Sequence, residues 1–192
     1  MTPHPAAALF PMMGQDDLEA LAADIQAHGL MVPIVLHNGM VLDGRNRFAA
    51  CELAEVDPVF VAWGGEGDPT SWVVSQNLHR RHLTESQRAM VAARLATMGK
   101  GRPEVNRSID PFTQSEAAEV LGVSVPSVKR ARVVQEQGIP DLVAAVDAGE
   151  IPVSRGADIA RSPAEEQPAL VEQARKPHVV NNSGCNEWYT PT

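Results

Sequence analysis

Apolar residues recur at helical spacing over most of the chain and at strand spacing only near its start. Leu18, Leu21, Ala22 and Ile25 mark one face of a helix over 16–28, and Gly29 stops it. Pro33 to His37, the pair Asn38-Gly39 and Met40 to Leu42 predict a β-hairpin, because Asn-Gly suits a type I′ turn. Residues 43–47 read as a polar loop leading into a helix with Phe48, Cys51 and Leu53 turned inward. A further strand is predicted over 56–63, then helices over 70–78 and 84–98, the second capped by Thr84. Short helical segments, each opened near a proline, follow at 140–148, 152–160 and 163–174. Residues 1–15 read as an irregular N-terminus, 99–111 as a Gly/Pro/Asn-bearing linker, and 176–192 as a tail without amphipathic period. The predicted class is α+β: a small α/β unit over 16–82, then an all-helical unit over 83–175.

Residues 113–134 carry the pattern that decides the class of function. Ala118 is small where two helices must cross closely, and Gly122 follows where a sharp turn favours positive φ. Val128 is placed to plug the core from a second helix, Ser124 is its N-cap, and Pro126 is tolerated in the first turn. That second helix then carries Ser127, Lys129, Arg130 and Arg132. This is the layout of a helix-turn-helix whose second helix enters the major groove of double-stranded DNA. Ser124, Ser127, Lys129 and Arg130 are the candidate DNA contacts at its N-terminal end, with Arg132 on the backbone. The competing reading is a helical hairpin with a solvated basic face.

Composition refines this picture. The 192 residues are 44% hydrophobic but only 4% aromatic, which predicts packing built on Ala, Val and Leu. A net charge of −8 opposes a nucleic-acid partner until its distribution is read. From His79 to Arg132, ten Lys/Arg face five Asp/Glu, a local balance of +5 that leaves −13 on the remainder. A basic middle between acidic ends predicts a phosphate footprint that salt weakens readily. No stretch approaches the roughly 18 apolar residues of a membrane span, and no signal peptide opens the chain, so the expected location is cytoplasmic, on the nucleoid. Cys51 and Cys185 match no metal spacing.

A second site is predicted at Gly44-Arg45-Asn46-Arg47, between a strand and a helix. Backbone N–H groups at a helix start attract anions, and arginine adds a planar donor fork. Asn77 and Arg80, at the end of a helix about thirty residues later, complete a candidate nucleotide or phosphate pocket. Asp43 is a candidate base there but lacks a carboxylate partner for two-metal chemistry. His79 and His82 could share a helical face, yet no carboxylate or cysteine accompanies them, and no metal site or catalytic residue is assigned.

The order of these blocks resembles the ParB family, whose N-terminal domain shares its fold with sulfiredoxin. The resemblance runs from Leu9 to Ala174. It rests on Gly29-Leu30-Met31-Val32-Pro33-Ile34, Asp43-Gly44-Arg45-Asn46-Arg47-Phe48-Ala49-Ala50, Gln76-Asn77-Leu78-His79-Arg80-Arg81-His82-Leu83-Thr84, the helix-turn-helix, Gly149-Glu150-Ile151-Pro152-Val153-Ser154 and Ala164-Glu165-Glu166-Gln167. It implies a CTP-operated clamp, with Gly44, Arg47, Asn77 and Arg80 at nucleotide-binding positions, and a homodimer reading a palindromic site. Three positions depart from the family: Val32 replaces a common Gln, Arg45 a Glu, and Gln76 the Glu that helps hold Mg²⁺. A neutral amide is a poorer ligand for that hard cation, so CTP binding is implied more strongly than Mg-dependent hydrolysis. Sulfiredoxin chemistry is excluded, since Arg45 stands where that enzyme has its cysteine.

The tail Asn186-Glu187-Trp188-Tyr189-Thr190-Pro191 resembles the opening of phage-type DNA adenine methyltransferases, which implies a fused or neighbouring methyltransferase; the other reading of 176–192 is a disordered tail with incidental aromatics. The leading expectation is a sequence-specific DNA-binding protein of ParB type in a phage, prophage or plasmid setting. The alternatives are a targeting module for a methyltransferase, and a ParB-like nuclease or nucleotide hydrolase.

Overall fold

The computed structural model describes residues 1–80, 83–98 and 112–175, with the side chains of His79 and Arg80 outside that set. The chain is α+β. In order run α1 (Gln15–His28), β1 (Ile34–His37), β2 (Met40–Asp43), α2 (Arg45–Ala54), β3 (Phe60–Ala62), α3 (Pro69–Arg80) and α4 (Glu85–Thr97). Five further helices follow: α5 (Gln114–Val120), α6 (Val125–Gln137), α7 (Pro140–Ala148), α8 (Val153–Ala160) and α9 (Gln167–Arg175).

The hairpin forms as the Asn-Gly pair predicts, with φ of 49° at Asn38 and 73° at Gly39. Leu36 faces Val41 and His37 faces Met40 across its antiparallel ladder. β3 adds to the other side of β1 in parallel, so the sheet order is β2-β1-β3. The crossover between β2 and β3 is α2, which packs against α1 around Ala22, Ile25, Ala50, Cys51 and Ala54. Burial pushes the Cys51 thiol above its ordinary range, as suits a small apolar filler. Leu53, expected inward, is half exposed, because α2 buries only the stripe through Ala50, Cys51 and Ala54. β3 is also shorter than the strand expected over 56–63.

Residues 1–14 are irregular apart from a 3-10 turn at Ala7–Leu9, yet they are packed rather than loose. Ala6, Ala7, Leu9 and Phe10 are buried, and Pro3 bridges Val41. The run from Ala6 to Phe10 is apolar throughout and so carries no helical or strand period, and pattern reading passes over it.

The larger core runs from Leu9, Phe10, Leu42, Val73 and Val74 through α4 into the helices beyond. It crosses the expected boundary at residues 82 and 83. α4 makes this continuity. Ala89, Met90, Val91, Ala92, Ala93, Leu95 and Ala96 are all buried, so the helix is apolar nearly all round and is covered on most sides. Its alanines let neighbouring helices approach closely. Arg94 joins the two halves with polar bonds: it donates to the Leu9 carbonyl at 3.2 Å and pairs with Asp147 of α7.

Candidate functional site

α5 and α6 form the helical pair predicted from residues 113–134. Thr113 and Glu116 close a reciprocal cap on α5, with the Thr113 N–H donating to Glu116 Oε2 at 2.7 Å. That bond holds the Glu116 carboxyl below its ordinary range. Ala117 and Ala118 are buried where the helices meet. Gly122 turns the chain at φ +60°, a conformation that strains any residue with a Cβ. Ser124 caps α6 by accepting from the Ser127 N–H at 3.2 Å, and Val128, Ala131 and Val134 fill the interior.

The five residues predicted to face DNA divide into three kinds. Lys129 and Arg130 are exposed, and neither forms an ion pair among the described residues. Ser124 is exposed at the helix start. Arg132 is half exposed, and its Nε donates to Glu136 Oε1 at 2.6 Å. Ser127 is 5% exposed, with its hydroxyl bonded to Ser124 Oγ at 2.9 Å and donating to Glu85 Oε1 at 3.2 Å. Its hydroxyl therefore faces the joint between α6 and α4 rather than the outer face.

The second site lies at the start of α2. Residues 45–47, expected in a loop, are the first turn of this helix, and Gly44 alone makes the connection, at φ +101°. The strand can therefore deliver three side chains to one mouth. A Cβ on Gly44 would sit 2.9 Å from the Arg47 guanidinium, which folds back over the glycine to reach Asp43 Oδ2 at 2.9 Å. Arg45 donates to the Phe10 carbonyl at 2.6 Å, and Asn46 Oδ1 accepts from the Met13 N–H at 3.3 Å. These groups line a cavity of about 210 Å³ whose apolar wall includes Phe10, Met13, Leu42 and Val73. Asn77 reaches the same cavity from α3, with its amide donating to the Val73 carbonyl at 2.9 Å. Thus Gly44, Arg45, Asn46, Arg47 and Asn77 line one cavity. Arg80 closes α3, and its side chain lies outside the described residues, as do the His79 side chain and His82. Among the described residues, no three His, Cys, Asp or Glu side chains converge as metal ligands. No described helix is long and apolar enough to cross a membrane.

Sequence reading missed the role of the first turn of α4. Glu85 holds Ser127, and Arg88 donates to the carbonyls of Leu121 and Gly122, the corner between α5 and α6. The capping pattern Thr84-x-x-Gln87 marks where this turn begins, but nothing local marks its partners, which lie 33 to 67 residues away.

No protein-family model matches the chain, and none of the curated proteins matches it. Among solved structures it is similar to the C-terminally truncated chromosome-partitioning protein ParB from Caulobacter crescentus complexed to the centromeric parS site. The identity is 17%, covering 91% of this chain and 84% of that chain, with a TM-score of 0.40. The same truncated protein complexed with CTP-gamma-S is 19% identical, covering 86% of this chain and 89% of that chain, with a TM-score of 0.32.

Proposed function

We propose that this protein is a sequence-specific binder of double-stranded DNA that uses α5, the Gly122 turn and α6 as a helix-turn-helix. The observation that carries this reading is the exposed pair Lys129 and Arg130 in the N-terminal half of α6, which no carboxylate neutralises among the described residues. Cations left unpaired on a helix seated on a fixed turn are available to phosphates and to guanine edges. Ser124, at the exposed helix start, adds a backbone contact, and Arg132 reaches a phosphate when it exchanges Glu136 for it. Two copies related by a two-fold axis would read two half-sites and double the contacts.

The cavity at α2 binds a phosphate-bearing ligand in the same proposal, with CTP as the nucleotide that the ParB resemblance implies. The N-terminus of α2, Arg45 and Arg47 would hold phosphate oxygens, and Asn46 and Asn77 would add polar contacts. A cavity of about 210 Å³ accepts the phosphate end, and a whole nucleoside requires the segment through Phe10 and Met13 to move. A divalent cation does not fit these residues. Asp43 is the one carboxylate lining the cavity among the described residues, it is held by Arg47, and position 76 carries an amide. No hydrolytic step is derived.

Selection from a pool of random DNA duplexes, followed by gel shift with the recovered site, tests the reading. The expected result is one recurring sequence, bound far more tightly than a scrambled duplex and lost in Lys129→Ala/Arg130→Ala. Recovery of no recurring sequence, or full affinity in the double variant, would refute the assignment of α6.

A further inference from the structure

We infer that the first turn of α4 positions α6 for reading DNA, with Arg88 and Glu85 as positioning residues that act through the helix-turn-helix. The inference rests on the DNA-binding reading above and names what fixes its reading helix.

Four successive residues of this turn bond to four different parts of the fold. Glu85 Oε1 accepts from the Ser127 hydroxyl of α6 at 3.2 Å. Ser86 Oγ accepts from the Val153 N–H at the start of α8 at 3.0 Å. Gln87 Nε2 donates to the Asp147 carbonyl of α7 at 2.9 Å. Arg88 donates from one nitrogen to the Leu121 carbonyl at 3.1 Å and the Gly122 carbonyl at 3.0 Å. Consecutive helix residues point about 100° apart, so four of them sweep almost the whole circumference. The turn is therefore ringed by α6, α7, α8 and the corner between α5 and α6.

This ring does what the core cannot. Beyond its first turn, α4 meets its neighbours mainly through Ala, Val, Met and Leu, which set separations but tolerate rotation and sliding; the polar ties there are Arg94, to Leu9 and α7, and the Gln135 amide of α6, which donates to the Met90 carbonyl at 2.9 Å. Hydrogen bonds are directional, so the ring fixes register as well as distance. Arg88 is the strongest member, because a charged donor holds two carbonyls at the C-terminal end of α5, where backbone acceptors lack helical partners. Its Nη1 lies 3.1 Å from where a Cβ on Gly122 would stand, so it spans the bend that sets the angle between the two helices. Glu85 fixes the other end of the motif. The chain Glu85–Ser127–Ser124 ties the N-terminus of α6 to that of α4, one turn before Lys129 and Arg130. Base-edge contacts depend on placement to within about an ångström, whereas phosphate contacts tolerate more. Loosening the ring should therefore erode sequence discrimination before non-specific affinity.

The test compares affinities for the site that the wild-type chain recovers from random duplexes and for a scrambled duplex of equal composition. A wild type that recovers no recurring site defeats the DNA-reading function itself, independently of the ring. With a recovered site, Arg88→Met should lower the selected-to-scrambled affinity ratio roughly tenfold and leave scrambled binding nearly unchanged. Arg88→Lys, which keeps a cationic donor at this position, should retain more of the ratio than Arg88→Met. Glu85→Ala should lower the ratio several-fold while scrambled binding holds or tightens, because a negative charge has been removed near DNA. Equal losses on both duplexes in Arg88→Met, or an unchanged ratio in Glu85→Ala, would overturn the inference. If circular dichroism shows Arg88→Met unfolded, the ratio in Glu85→Ala decides it alone.

Discussion

Two arginine-bearing helix starts in this molecule hold their charge in opposite ways. At the start of α6, Lys129 and Arg130 project outward without an ion pair among the described residues. At the start of α2, Arg47 is paired with Asp43 and Arg45 is bonded to the Phe10 carbonyl, so both guanidinium groups already have internal acceptors. An open cation gains a phosphate by releasing counterions, whereas an enclosed one must exchange one acceptor for another. Similar residues at similar positions are thus left open to solvent in one place and bonded internally in the other.

The strongest way to break this contrast is to remove each set of cations and score both ligands. Lys129→Ala/Arg130→Ala should weaken binding to the selected duplex roughly a hundredfold and leave CTP titration by calorimetry unchanged. Arg47→Ala should do the reverse. Loss of both activities in either variant would show that the two regions are not separate sites.

Asp43→Asn sharpens the contrast from the pocket side. With the competing carboxylate charge removed, inorganic pyrophosphate and CTP should bind about three- to tenfold more tightly in calorimetry. The same change should lower the melting temperature, because the pair is largely buried, with side chains 17% and 12% exposed, and Arg47 would lose its counter-ion. Unchanged anion affinity would mean that Asp43 orients Arg47 without competing for it.

Salt gives a smaller, graded readout on the open face. If Lys129 and Arg130 each neutralise one phosphate, the slope of log affinity against log salt should be about 1.8 less steep in the double alanine variant. A slope identical to wild type would place both cations away from the DNA backbone.

The smallest effect concerns the cap of α5. The Glu116 carboxyl is held below its ordinary range by the Thr113 N–H, so its contribution is fully present above that range and is lost as pH falls through the lowered value. Glu116→Gln, which retains the acceptor oxygen, should therefore flatten the acid limb of the thermal stability curve slightly and leave neutral-pH stability nearly unchanged. An unaltered acid limb would show that the cap has no ionic component.

Much of this contrast was readable in the chain where cause and effect lie close together. Ser124, Gly122 and Pro126 announced the turn and the start of α6, and Asn38-Gly39 announced the hairpin, because backbone sterics and capping are settled within a few residues. Of the short helices expected near prolines, α7 runs over Pro140–Ala148 as expected, whereas α9, expected from residue 163, starts only at Gln167. The stretch after Gly44 reads as a loop in the sequence but forms the first turn of α2. A single left-handed glycine proved enough to join β2 to α2, and charge content does not reveal that economy.

What only the tertiary structure decided is which polar groups are spent internally. Ser127 sits in the sequence as a surface-facing helix residue, and Glu85, more than forty positions earlier, draws its hydroxyl inward. Arg45 reads as an open cation until the segment through Phe10, which has no period of its own, brings a backbone carbonyl to it. Arg88 reads as an ordinary charge on an alanine-rich helix until Gly122 turns beneath it. Local sequence determines caps, turns and amphipathic faces through interactions within one or two helical turns. The partner of a long polar side chain depends instead on how distant backbone carbonyls and carboxylates are brought together, and here the burial of α4 among its neighbours brings them there.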